Sequence, residues 1–203
     1  MELWLIRHGE IDSIYNAYDA EKQTANPPLS PKGIRQAEAL AEHCRSVRFA
    51  RIVSSDLKRA VHTANILAAG RDVAIEINPA FREIDMGALY RGARWSDYPK
   101  PRRAWLKHEE DLPYPEGENG ADVWARCREP LAALTGGAYA RVALVCHGGV
   151  IRSIVCGMLD IPQQKRHYLG EPLMNCSVTV MAINGGVARL HTFNVHAQIE
   201  RVT

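Results

Sequence analysis

Four side chains, Arg7, His8, Arg59 and His147, carry the strongest chemical signal in this sequence. His8 and His147 each end a short apolar run and each is followed by glycine, as Leu5-Ile6-Arg7-His8-Gly9 and Leu144-Val145-Cys146-His147-Gly148-Gly149. Such runs read as buried strands that stop in a loop. Glycine there lets the backbone approach a ligand closely. Arg59 falls in the first turn of a helix that directly follows another predicted strand. Ligands of open α/β sheets bind beyond the carboxyl ends of strands, so all four residues are predicted on one rim. Two guanidiniums and a helix N-terminus favour a doubly charged anion, and guanidinium donors match phosphate oxygens. A neutral imidazole held among them is a nucleophile able to take a phosphoryl group, whose charge the fixed cations stabilise. Arginine then supplies the positive charge. The sequence shows no Asp-rich or HExxH cluster for a metal, and no cofactor is expected.

The elements that must position these residues are visible as alternating patterns. Residues 1–6, 50–54 and 141–146 read as strands, the last being the clearest core strand. Residues 73–77 read as a short edge strand, followed by Pro79. Ser30 can cap a helix that has Pro31 at its first position and an apolar stripe of Ile34, Ala37, Leu40, Ala41, Cys44 and Val47. Ser54, Ser55 and Asp56 offer caps for a second helix, with its stripe at Leu57, Ala60, Val61, Ala64, Leu67 and Ala68 and a stop at Gly70. Residues 121–134 are helical in character, with a kink or break expected at Pro130. Residues 150–159 form a further helix. Residues 176–183 and 187–193 flank Asn184-Gly185-Gly186, a hairpin signal. Residues 11–29 read as loop, ending in Asn26-Pro27-Pro28. The fold class predicted is α/β: a three-layer sandwich with a mostly parallel central sheet and helices on both faces.

The 203 residues suit a single domain spanning 1–203, and 46% hydrophobic residues supply a real core. The stretch of about 87–120 has no clean period, and it holds Pro99, Pro101, Pro113 and Pro115. It reads as an irregular lid or specificity insertion with one short helix near 102–109. A net charge of +2 gives no basic footprint for nucleic acid. No apolar run is long enough to span a membrane, and Met1-Glu2-Leu3-Trp4 lacks a basic secretory n-region, so cytoplasm is the expected compartment. The five cysteines are odd in number, scattered and without a CxxC pair; they read as buried reduced thiols. Oligomeric state, monomer or homodimer, is left open.

The same residues carry a family resemblance. Arg7-His8-Gly9-Glu10 resembles the RHG signature of the histidine phosphatase superfamily, also called phosphoglycerate mutase-like. Pro28-Leu29-Ser30-Pro31-Lys32-Gly33 with Gln36-Ala37 resembles its PLTxxGxxQA segment. Ser54-Ser55-Asp56-Leu57-Lys58-Arg59-Ala60 with Thr63-Ala64 resembles SxLxRAxxTA. Cys146-His147-Gly148-Gly149 and Asn175-Cys176-Ser177-Val178 resemble later segments. Five matched segments in order over nearly the whole chain make the signal specific. The resemblance implies a phosphoglycerate mutase-like fold and a metal-independent phosphatase acting on a small phosphorylated metabolite. His8 becomes the phosphorylated nucleophile, and Arg7, Arg59, His147 and Gly148 surround the phosphate. Glu83, in Glu83-Ile84-Asp85-Met86-Gly87, becomes the proton donor, with Asp85 the rival carboxylate.

The chain departs from the family pattern in places. Ile11 stands where threonine or serine is frequent. Ile14 occupies the place of an asparagine, for which Asn16 is the nearest substitute as a phosphate ligand. The Phe-Gly-x-Trp-Glu-Gly pattern becomes Met86-Gly87-Ala88-Leu89-Tyr90-Arg91-Gly92, and Gly-Glu-Ser becomes Gly117-Glu118-Asn119, where Asn119 can cap the next helix.

Plainer roles compete with these. His43, His62, His108, His167, His191 and His196 have no partner pattern and read as structural, and the four tryptophans read as packing residues. Arg91, Arg94, Lys100, Arg102, Arg103 and Lys107 form either a surface attracting an anionic substrate tail or a solvated basic face. Three function classes stay open: a phosphatase, including alpha-ribazole phosphatase-like specificity; a cofactor-dependent mutase returning the phosphoryl group to substrate; and a non-catalytic binder of phosphorylated ligands. The phosphatase reading requires the imidazoles of positions 8 and 147 to share one face, with neither buried away from solvent.

Overall fold

The computed structural model describes residues 1–13 and 18–196. Six strands form one sheet: β1 (Glu2–Arg7), β4 (Arg51–Ser54), β5 (Ile75–Ile77), β6 (Arg141–Cys146), β7 (Val178–Asn184) and β8 (Val187–Val195). Their spatial order is β5-β4-β6-β1-β7-β8. The first four strands of that order run parallel, while β7 and β8 run antiparallel to their neighbours. The sheet is therefore mostly parallel, with β5 at the edge as expected.

The strand in the middle explains the layers. Residues 142–146 of β6 are all fully buried, a continuous apolar run that only a sheet covered on both faces permits. Val142 and Leu144 join Leu3, Leu5 and Met181 against α4 (Gly120–Thr135) and α5 (Gly148–Met158). Ala143 and Val145 join Ile6, Ile52 and Val180 against α1 (Pro31–His43) and α2 (Lys58–Ala68). The period of two along β6 thus distributes its side chains between two cores. The fold is the three-layer α/β sandwich read from the sequence. Among the described residues no helix is long and apolar enough to cross a membrane, and the five thiols are buried without a disulfide.

Several local expectations need correction. Ser30 caps α1 as predicted, accepting Gly33 N at 3.0 Å, but no serine or aspartate caps α2, whose N-cap is Leu57. The 11–29 stretch is not all loop: β2 (Tyr18–Asp19) pairs with β3 (Thr24–Ala25), and Ile11 bridges Leu29. Asp19 closes that turn by accepting Glu21 N and Lys22 N, each at 3.1 Å. The short helix of the insertion, α3, runs Pro99–Lys107. It begins earlier than expected because Pro99 and Pro101 stand in its first turn, where a missing N–H costs nothing. Pro130 does not end α4, which continues to Thr135. Asn119 caps α4 reciprocally with Asp122, at 2.9 and 3.0 Å.

Candidate active site

The carboxyl ends of β1 and β6 lie side by side, with Arg7 in register with Cys146. The residues that follow them, His8 and His147, consequently meet, with ring centroids 5.1 Å apart. Arg59, one residue into α2 beyond the end of β4, lies across both: its Nε is 3.2 Å from His8 Nε2 and 3.2 Å from His147 Nδ1. Its Nη1 donates to Ala25 O at 2.9 Å. The spatial convergence required by the sequence reading is met.

The exposure requirement is not. His147 has no exposed surface, and His8 is only 5% exposed. Arg59, itself 4% exposed, bonds both imidazoles through Nε, so a phosphatase reading requires this guanidinium to give way to the phosphoryl group.

The hydrogen bonds fix the tautomers. Gly9 O lies 2.7 Å from His8 Nδ1. A carbonyl can only accept, so neutral His8 carries its proton on Nδ1 and presents the lone pair of Nε2. His147 Nδ1 accepts from Arg59, which leaves Nε2–H to donate to Ser55 Oγ at 2.9 Å. Burial pushes His8 well below the usual histidine range; Arg59 and Arg7 push the same way, and the Gly9 carbonyl opposes them. His147 is lowered well below that range by burial, then by Arg59, His8, Arg126 and Arg7. Both imidazoles are neutral at neutral pH.

Arg7 donates through Nη1 to Leu173 O. Its Nε is buried without a hydrogen-bond partner among the described residues, an unusual state for a guanidinium N–H. Glu83 reaches the rim from the other side: Oε1 accepts Ile84 N at 2.9 Å, and Oε2 accepts Gly149 N, in the first turn of α5, at 3.4 Å. A Cβ on Gly149 would stand 2.7 Å from Glu83 Oε1, so glycine is needed for the carboxylate to come this close. Gly148 is the first residue of α5, beside Arg7 Nε. Asp85 accepts Gly87 N at 2.8 Å. Asn16 and Ile14 lie outside the described residues.

Sequence reasoning passed over several supporting residues. Ser55, read as a cap, instead fixes His147. Thr63 accepts Gly9 N at 3.1 Å and donates to Arg59 O at 2.8 Å; its spacing of four from Arg59 on one helix face was the available signal. Asn175 Nδ2 donates to His8 O at 3.1 Å. Gly9 itself is forced by packing, since a Cβ there would lie 2.5 Å from Gly33 O. The structural reading of His108 and His167 agrees with their stacking at 3.9 Å beside Trp105. The basic residues of 91–107 are only partly paired, Arg91 with Glu116 and Lys107 with Glu109.

Comparison with known proteins places this rim in context. "Probable phosphoglycerate mutase GpmB" of Enterobacter sp. (strain 638) is 31% identical over 183 residues, covering 88% of this chain and 83% of that one. A mycobacterial glucosyl-3-phosphoglycerate phosphatase solved with inorganic phosphate superposes with a TM-score of 0.83 at 29% identity, covering 97% and 98% of the two chains. Bacillus stearothermophilus YhfR gives 0.80 at 25% identity, covering 98% of each. The model of the histidine phosphatase superfamily (branch 1) matches residues 3–196. The chain belongs to the histidine phosphatase superfamily, branch 1.

Proposed function

We propose that this protein is a phosphomonoesterase that hydrolyses a small phosphorylated metabolite through a phosphohistidine on His8. The observation that carries the reading is the oriented His8 imidazole, with Nδ1–H held by Gly9 O and Nε2 facing Arg59. A phosphoryl group approaching Nε2 exchanges the Arg59 contacts with the two imidazoles for contacts with its own oxygens. Arg7 Nε, buried and unpartnered among the described residues, supplies a second donor; the N–H of Gly148 and the His147 ring, which must take a proton on Nδ1 to donate, complete the cradle. In the first step the Nε2–P bond forms, the P–O bond to the leaving group breaks, and Glu83 as the acid gives its proton to the leaving oxygen. In the second, water attacks phosphorus, its proton returns to Glu83, and the N–P bond breaks. The guanidiniums supply the positive charge in both steps, so no metal takes part. The solved phosphatase relative with inorganic phosphate supports hydrolysis.

A mutase is the second reading, favoured by the name of the Enterobacter relative. It would use the same His8 but return the phosphoryl group to substrate. The deciding experiment is a panel of phosphorylated metabolites scored for phosphate release, with phosphoglycerate isomerisation measured in parallel, each with EDTA and, separately, with divalent metal added. Phosphate release with acid-labile label trapped on His8 supports the hydrolase. Isomerisation without net release assigns the mutase. Binding without turnover, or a strict divalent-metal requirement, overturns both.

A further inference from the structure

Glu83 is held in place by an ion pair belonging to another part of the chain. Arg126 of α4 donates from Nη1 to Ala80 O at 2.5 Å and from Nη2 to Glu83 O at 3.3 Å. Its Nε and Nη2 also donate to the Glu118 carboxylate at 2.7 and 2.9 Å. Glu118 continues the chain of contacts past Glu83: its Oε2 accepts Asp85 N at 2.9 Å, and its own N–H donates to Asp85 O at 2.9 Å. The backbone before, at and after Glu83 is therefore fastened to one bidentate guanidinium–carboxylate pair, a geometry in which both planar groups are locked. Arg82 is anchored separately to Asp56 at 2.8 and 2.6 Å and Ile84 is buried in the core, but no helix or strand ladder holds the backbone from residue 82 to 86.

We infer that Arg126 and Glu118 are positioning residues for the Glu83 carboxylate, setting its distance from the leaving oxygen. The inference rests on the reading of Glu83 as proton donor. The carboxylate spans from its own backbone to the N-terminus of α5, so a shift of the Ala80–Asp85 backbone carries the acid off its target. Displacements of about 1 Å can lower rates about 10²-fold. The arginine and the glutamate touch no reacting atom. Their effect falls on the steps in which Glu83 gives or takes a proton, and kcat/KM reports the first of these.

The test compares kcat/KM for p-nitrophenyl phosphate, whose leaving group needs no proton, with that for an alkyl phosphate, whose leaving group does. The variants are Glu83→Gln, Arg126→Lys, Glu118→Gln and the double variant Glu83→Gln/Arg126→Lys. Each is checked by thermal unfolding, and the conservative changes are chosen so that the fold survives. Arg126→Lys is expected to cost about tenfold or more on the alkyl substrate and under about threefold on the aryl one, a fraction of a full general-acid effect. In the Glu83→Gln background the same change is expected to add nothing to the leaving-group difference, as for groups acting in one unit. Equal losses on the two substrates, or a leaving-group effect that adds fully to that of Glu83→Gln, overturn the positioning role while leaving Glu83 as the acid. A Glu83→Gln variant with no leaving-group dependence overturns the acid assignment and the inference together.

Discussion

The carboxyl rim of the parallel strands and the 87–118 segment are built on opposite principles. On the rim, β1, β4 and β6 deliver side chains to fixed points, and each is pinned by a bond of 3.3 Å or less: His8 to Gly9, His147 to Ser55, Arg59 to Ala25. The 87–118 segment has one regular helix, and none of that helix is fully buried. Apart from Glu118, locked to Arg126 at its end, it is held by an aromatic mesh, Trp95–Trp105–Tyr114 with His108 on His167, and by Asp111 against Arg166. The first region is rigid because buried backbone ladders dictate its geometry. The second is open to sequence change because each contact is small and replaceable.

That contrast is best broken at the rim first. His8→Ala is expected to lower turnover by about 10⁴-fold or more, as when a nucleophile is removed from a cooperating set, with circular dichroism and the melting transition little changed. Substantial turnover in this variant, measured by phosphate release, would falsify the nucleophile assignment. Arg59→Ala is expected to cost about 10²- to 10³-fold, the range for a lost oxyanion donor; an effect confined to KM would demote it to substrate binding. Trp105→Ala, in the mesh, should alter turnover of p-nitrophenyl phosphate by no more than about threefold if the regions are independent, yet speed proteolysis and amide exchange across 95–114. A rim-sized loss in turnover would show the two regions to be coupled.

The smallest effect is a pH dependence of stability. Burial, then Arg166, His108 and Arg152, push His167 down to about 4, with Asp111 opposing. Its unfolded value is about 6.5, so between those values the unfolded chain binds a proton that the native one refuses. Stability from this group therefore falls as pH drops from about 6.5 toward 4. His8 and His147 act in the same direction. His167→Phe is expected to reduce the stability lost between pH 7 and 5 in denaturant titrations. An unchanged loss would show that the stacked pair does not titrate on unfolding.

Legibility followed the same division. The strands around β6 and the stripes of α1 and α2 declared themselves because apolar period and burial agree, and Arg7, His8, Arg59 and His147 followed from strand ends. The Tyr18–Asp19 hairpin did not, since two residues per strand leave no period. The start of α3 was obscured by prolines that break a helix interior but suit its first turn. The complete burial of His147 was missed because its partners Arg59 and Ser55 come from distant parts of the chain, which no spacing encodes. The anchoring of Glu83 by Arg126 was invisible for a related reason: its acceptors are backbone carbonyls, which leave no residue-type signature.

The touching backbones at Gly9 and Gly33 have a wider consequence. With Gly33 pressed equally hard on Glu10, 2.0 Å from its carbonyl oxygen to an imagined Cβ, neither position can gain a methyl group without lifting α1 off the loop that bears His8. Two stretches of sequence more than twenty residues apart therefore behave as one heritable unit. A library that randomises either alone should yield few survivors, and compensation would have to come from rebuilding the helix start as a whole.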